Sequence, residues 1–346
     1  MAEYFIEINR WKDLVIKWTE EFDVFAPFSY GSQLLYEKVS DINVDDAVFG
    51  SVRPIQPLKF FFYPFREKIL PEINKLKKTI VIGAANCDLS GLKILDRVFL
   101  NGDYKDPNYI KRRENIIIVS IDCAKPLSVC FCKALGLDPF PVDGFDLNLT
   151  ALENGFVIET GSQSGEDLIR NEINRSAQEN ELEKRTALRE NSASLILRHN
   201  EQFHIPEKIG QIFKNVFSLD EWKEVWKNCV QCGSCTNICP SCVCFFLEDT
   251  SKGGNFQKNK IWDSCLLPGY ARMASGVSPR PLLYERYRNR LACKYMYMVE
   301  HFKMVGCTGC GRCIAGCPGR IDKRKVLSCV FSKRIEDVRY ESVKYL

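Results

Sequence analysis

Residues 229–240, CVQCGSCTNICP, and residues 307–318, CTGCGRCIAGCP, decide how this chain is read. Each is a C-x2-C-x2-C-x3-C-P run, the spacing of a loop that wraps a [4Fe–4S] cluster. The first three cysteines of each run are close enough to surround one face of a cube. In paired loops of this kind the fourth cysteine ligates the other cluster. The expected ligand sets are therefore Cys229, Cys232, Cys235 with Cys317, and Cys307, Cys310, Cys313 with Cys239. Pro240 and Pro318 stop each loop from continuing as helix. Gly233, Gly309, Gly311 and Gly316 are expected to let backbone amides approach the cluster sulfides.

A pair of zinc knuckles is the plain alternative, but zinc sites usually hold two C-x2-4-C pairs apart by a spacer. Structural disulfides fit less well. The chain has 17 cysteines and no secretory signal, which together imply a reducing compartment. Its 346 residues suggest two domains, and 45% hydrophobic residues suffice for a sizeable core. The net charge of +4 is spread along the chain and does not demand nucleic acid. No apolar run is long enough to span a bilayer. A cytoplasmic location follows as the expectation, with any membrane association made through a partner. No nucleotide-binding loop or hydrolytic motif is recognisable. His199, His204 and His301 have no ligand spacing to one another.

Working outward, Ile8–Glu21 reads as an amphipathic helix with Trp11, Leu14, Val15 and Trp18 on one face. Asp23–Pro27 and Lys59–Tyr63 read as strands. A helix from about Arg66, interrupted at Pro71, follows the second. Thr79–Ala84 and Asn115–Ile121 read as buried strands flanking a helix from Ser90 to Leu100. That order suggests a βαβ unit and a parallel sheet. Phe156–Glu159 reads as an antiparallel strand. Residues 162 to about 227 are charged and helical, with a solvated helix over Asn180–Asn191. The fold expected is α+β or α/β. An N-terminal α/β domain with a partly parallel sheet spans 1–161, a charged helical linker 162–217, and a mainly helical ferredoxin-like dicluster domain 218–346. The long segment between the motifs holds a basic aromatic helix, Tyr284–Met298.

Cys87 and Cys123 each follow the carboxyl end of a predicted strand, the edge of a parallel sheet where ligands bind. Cys130 and Cys132 lie on the loop leaving the second strand, which is able to fold back over the same edge. Four thiols converging there fit a third [4Fe–4S] cluster, a four-thiolate zinc site or buried structural thiols. Cys242, Cys244 and Cys265 read as packing or as support for the clusters, with a part in a further metal centre left open. Cys293 and Cys329 read as packing. Arg312, Arg320, Lys323, Arg324 and Lys325 border the second motif. They read as a solvated basic face, as a dock for an acidic partner, or as charges that raise a cluster potential.

The full-length pattern resembles the anaerobic sulfite reductase A subunit and the sulfhydrogenase beta subunit. The segments that carry the resemblance are VFAP at 24–27, NCDLSGLKILD at 86–96, IDCAKPLSVCFCKALG at 121–136 and GFD at 144–146. To these add CVQCGSCTNICPSCVCF at 229–245, WDSCLLPGYARMASG at 262–276 and CTGCGRCIAGCP at 307–318. The resemblance implies a non-catalytic electron-transfer subunit of a cytoplasmic anaerobic complex. Its donor would be a flavin subunit oxidising NAD(P)H, or ferredoxin. Its acceptor would be a catalytic subunit with siroheme or a nickel–iron site. The resemblance also strengthens the third cluster at Cys87, Cys123, Cys130 and Cys132. Two rivals remain: an iron–sulfur enzyme with its own open-site cluster, and a zinc-stabilised interaction scaffold. The latter's nucleic-acid version lacks the aromatic motifs or basic stripe it needs.

Overall fold

The computed structural model describes residues 2–70, 76–218 and 220–332. The strands are Glu3–Glu7 (β1), Asp23–Tyr30 (β2), Gln33–Lys38 (β3), Arg66–Leu70 (β4), Thr79–Ala85 (β5), Ile116–Ile121 (β6), Leu147–Ala151 (β7), Gly155–Thr160 (β8), Phe245–Lys252 (β9) and Asn255–Trp262 (β10). The main sheet runs β1-β8-β7-β6-β5-β2-β3. Its centre, β2, β5, β6 and β7, is parallel. The flanking pairs are antiparallel. Ile80, Val81 and Ile82 of β5 are all fully buried, because helices and loops cover both faces of a parallel sheet. The helix Ile8–Thr19 packs Trp11, Leu14, Val15 and Trp18 against that sheet, with Trp11 edge-on to Trp18 at 5.3 Å.

Two local expectations change. Lys59–Phe62 is a helical turn rather than a strand. The Asp88 carboxylate accepts from the Leu58 amide at 3.2 Å, and Leu58 and Phe62 drop into the core on one face. Tertiary contacts here outweigh the β preference of the aromatic run. Arg66–Leu70 is a strand rather than a helix, and Pro71 lies outside the described residues. The period-two signal in β4 is carried by a charge: Glu67 turns inward to Arg112 at 2.6 Å and Lys260 at 2.5 Å, while Arg66 and Lys68 face out. β4 joins a second sheet, β4-β10-β9, whose β9–β10 hairpin is inserted between the two cysteine motifs.

The helix Glu179–Asn200 is not solvated on all sides. Arg185 pairs with Glu3 and Glu159, and Arg189 pairs with Asp122 at 2.7 Å. Ser192 is buried and donates to the Cys123 carbonyl, and Asn200 donates to the Cys130 carbonyl at 2.8 Å. Arg185 and Arg189, two of the charges that suggested a solvated face, dock the helix on the sheet, while Glu183, Lys184 and Glu190 stay exposed. The two motifs lie in the α-rich C-terminal region, around a core containing Trp222, Trp226, Tyr287 and Tyr295.

Candidate iron–sulfur centres

Both motif loops turn through a left-handed glycine, Gly233 or Gly311, into a single helical turn. Cys307, Cys310 and Cys313 line one enclosed cavity together with Cys239 from the first motif. Cys317, from the second motif, sits near Cys235 and Cys229: burial first, then the charges of those two neighbours, raise its thiol. Cys229 likewise feels Cys235 and Cys232. The fold therefore brings the fourth cysteine of each run into the other run's group. The Ile321 amide donates to Cys317 Sγ at 3.4 Å. Cys232 is exposed, so this set is the one nearest the surface.

Cys87, Cys123, Cys130 and Cys132 line a single cavity at the carboxyl ends of β5 and β6. Cys87 lies in the first turn of the helix Asn86–Phe99, directly after β5. Ile196, from the Glu179–Asn200 helix, and Gly309 and Cys310, from the second motif, complete the wall. Burial, then Cys130 and Cys132, push the Cys123 thiol up, and burial pushes Cys132 up to about 12. Burial also raises Cys307 to about 11. Loading metal onto such thiols must release protons.

The donor chemistry of both cavities fits a [4Fe–4S] group. Arg290 Nε, Thr308 Oγ1 and Lys323 Nζ belong to residues lining the Cys239/Cys307/Cys310/Cys313 cavity, and they have no hydrogen-bond partner. Arg53 Nη2 is in the same position at the Cys87 cavity. Bare buried donors are costly, and cluster sulfurs are acceptors that would satisfy them. Among the described residues no group of three or more His, Cys, Asp or Glu is arranged to hold a single metal ion. A four-iron cube keeps its ligands further apart than one ion does.

The basic residues near the second motif are mostly internal. Arg312 is buried, pairs with Asp88 at 2.8 Å and donates to the Pro54 and Ile55 carbonyls. Lys323 lies over Tyr287 at 4.2 Å, and Arg324 pairs with Asp322 and donates to the Ser128 carbonyl. Only Arg320 is exposed, with Lys325 half-buried, so these five do not form a solvated docking face. Of these, Arg312 lies near Cys310 and Cys87, and Lys323 near Cys235, Cys229 and Cys232. Arg290 donates to the Cys235 carbonyl at 2.7 Å. Lys294, in a π-helical segment Cys293–Tyr297, donates to the Ser241 carbonyl at 2.9 Å.

Sequence reasoning missed Arg53, whose Nε donates to the Cys310 carbonyl at 2.6 Å. It also gave no sign of a further role for two of the motif glycines, one of which, Gly309, hydrogen-bonds Cys307 through its backbone amide. A Cβ on Gly309 would stand 2.5 Å from the Cys132 backbone, and one on Gly311 would stand 2.4 Å from the Val129 carbonyl oxygen. These glycines admit the loop that carries Cys130 and Cys132. No local pattern marks either contact, because both join segments far apart in sequence.

Residues 228–321 match the 4Fe-4S dicluster domain family. The chain is 32% identical over 337 residues to sulfhydrogenase 2 subunit beta of Pyrococcus furiosus, covering 94% of this chain and 96% of that protein. A shorter similarity, 24% over 139 residues, relates it to the F420-dependent formate dehydrogenase subunit beta of Methanocaldococcus jannaschii, over 39% of this chain and 27% of that protein. The paired cysteine loops, the cavities they line and a likeness that runs nearly end to end place this chain in the sulfhydrogenase beta-subunit family, as an iron–sulfur electron-transfer subunit.

Proposed function

We propose that the chain relays single electrons through three [4Fe–4S] clusters inside an oxidoreductase complex. Cys229, Cys232, Cys235 and Cys317 would hold the outermost. Cys307, Cys310, Cys313 and Cys239 would hold the middle one, and Cys87, Cys123, Cys130 and Cys132 the third. Each cluster supplies a one-electron change whose potential depends on hydrogen bonds to sulfur, burial and nearby charge. The observation that carries the reading is the sharing of walls. Cys310 lines both the middle and the third cavity, and Cys130 Sγ lies 3.7 Å from its carbonyl oxygen. The exchanged fourth cysteines bind the outer and middle sets together in the same way.

The chain's own residues hold this line rigid. Arg53 and Arg312 clamp the second motif to the 54–56 loop, and the Phe131 amide donates to the Gly309 carbonyl at 2.8 Å. A flavin subunit oxidising NAD(P)H, or ferredoxin, is the proposed donor. A reductase or hydrogenase subunit is the proposed acceptor. Both named relatives are beta subunits of oxidoreductases, which supports a partnered role. We place the complex in the cytoplasm. No helix among the described residues is long and apolar enough to cross a membrane. The domain division proposed is 1–161, 162–217 and 218–346.

Iron and acid-labile sulfide per chain, measured on anaerobically purified protein with reduced-state EPR, test the proposal. About twelve irons, four per cluster, is the expected result. About eight would return Cys87, Cys123, Cys130 and Cys132 to a structural or zinc role, and a colourless zinc protein would overturn the relay.

A further inference from the structure

The π-helical segment that carries Lys294 joins the helices Leu283–Ala292 and Met298–Phe302. Irregular turns of this kind recur at functional sites. Lys294 is 3% exposed and lines the cavity of Cys239, Cys307, Cys310 and Cys313. Its Nζ donates to the Ser241 carbonyl and hydroxyl oxygens, both at 2.9 Å, and Ser241 Oγ lies 3.4 Å from Cys239 Sγ. Tyr295, from the same segment, donates its hydroxyl to Cys307. Arg290 and Lys323 line the cavity as well, and no carboxylate does. The charges that act most on these three cations come from cysteines, with no Asp or Glu among them. Buried Lys59 also faces Cys242 and Cys239, and its Nζ donates to the Cys242 carbonyl at 3.3 Å.

The other two sets are furnished differently. At Cys87 the cation Arg312 is matched by Asp88, and Asp138 stands in the wall with Arg53. At the outer set Cys232 is exposed, so water and salt screen the field of nearby cations. Burial alone disfavours adding charge, which would make the enclosed middle set the hardest to reduce. Buried cations without counter-ions reverse that order, because a charge acts far more strongly in a low-dielectric interior than at the surface.

We propose that Lys294, backed by Arg290 and Lys323, gives the middle cluster the highest potential of the three, so that the first electron to enter the chain rests there. Reduction adds one negative charge to an already anionic cube, and the Lys294 cation stabilises the reduced form more than the oxidised one. The anionic cube in turn keeps the amine protonated. The step moves one electron from the outer or the third cluster to the middle one, and no bond or proton moves with it. The chain then holds one electron in reserve, and the next to arrive is the one passed on. This role rests on the three-cluster reading, from which its test is separable.

Stepwise dithionite titration of the anaerobically purified full chain, followed by EPR, supplies that test. In the wild type the first equivalent should produce a single signal. That signal should persist in Cys130→Ser, which removes a ligand of the third cluster, and should resist a soluble dysprosium chelate, which relaxes the exposed outer one. Lys294→Gln keeps a donor toward Ser241 without the charge. It should retain its iron, while the equilibrium constant for reducing the first cluster falls about tenfold or more, each tenfold being about 59 mV for one electron. Lys294→Met should behave alike, and Lys294→Arg, which keeps the charge, should hold the wild-type value. An unmoved potential in Lys294→Gln overturns the proposal, as does a first signal that is lost in Cys130→Ser or broadened by the chelate. Loss of iron from both neutral variants would make Lys294 a structural support and overturn it too. About eight irons per chain, with the potential still lowered in Lys294→Gln, would remove the third cluster and leave the tuning of the middle one standing.

Discussion

Gly309→Ala tests whether the second motif seats the loop of the first domain. Gly309 has φ +62, where an L-residue costs about 1–2 kcal/mol. The new Cβ would also lie 2.5 Å from the Cys132 Cα and N and 2.6 Å from the Phe131 carbonyl carbon. These are backbone atoms, so no rotamer change relieves the overlap, and overpacking of this kind costs about 1–3 kcal/mol more. The total is about 2–5 kcal/mol against the junction that holds Cys130 and Cys132 over Cys310. The Phe131 amide, which donates to the Gly309 carbonyl at 2.8 Å, reports it directly. With each 1.4 kcal/mol worth tenfold, its hydrogen exchange should speed up about 30- to 4,000-fold if it exchanges by local opening. Gly136→Ala is the matched control. Its φ is +76, but nothing lies within 4 Å of the added Cβ. It carries the backbone strain without the overlap, so only about 1–2 kcal/mol is expected. If Phe131 keeps its protection in Gly309→Ala, or the two variants perturb their loops equally, the close approach is not what joins the two sites.

Cys130→Ser should lower iron by about four per chain, measured with acid-labile sulfide, and unchanged iron would remove the third cluster. Arg312→Met leaves Asp88 buried beside the Pro54 and Ile55 carbonyls without its cation. Breaking a buried pair in this way should lower unfolding free energy by about 3–5 kcal/mol in denaturant titration; a loss under 1 kcal/mol would show that the pair is dispensable. Alkylation of Cys244 should follow a thiolate fraction that rises with pH and is half-complete near about 6. Tyr270→Phe removes a donor to the thiolate and should move that midpoint upward; an unmoved midpoint would mean that Tyr270 does not hold the charge.

The cysteine loops were legible because their chemistry is local: eleven residues hold four thiols, and spacing alone implies a cube. β5 and β6 were legible because Ile80–Ile82 and Ile117–Val119 are unbroken apolar runs between turn signals. Knowing that both strands are parallel then placed Cys87 and Cys123 on one edge. Lys59–Phe62 and Arg66–Leu70 were misread because their signals come from partners far away in sequence. Asp88 fixes the first, and the Arg112 and Lys260 charges fix the second. The same limit hid the buried ends of Arg312, Lys323 and Arg324. A basic residue reads as solvated until a carboxylate or an aromatic face is seen beside it. Arg53 had no signal at all, being one arginine in a proline-containing loop whose acceptor lies in the second motif.

The shared wall of the middle and third cavities sets an order of events during synthesis. Cys87, Cys123, Cys130 and Cys132 all leave the ribosome before Gly309 and Cys310 exist. At about 5–20 residues per second, roughly 10–35 s separate Cys132 from Cys310. For that interval the sheet edge has its thiols and its Ile196 lid but lacks one side of its enclosure. The pocket closes only when the last motif arrives, so the earliest cysteines made are among the last to be sealed from solvent. The four thiols of the proposed third cluster therefore stay open on one side until the last motif arrives, and a growth condition that starves the cell of iron would leave a folded sheet with those thiols empty.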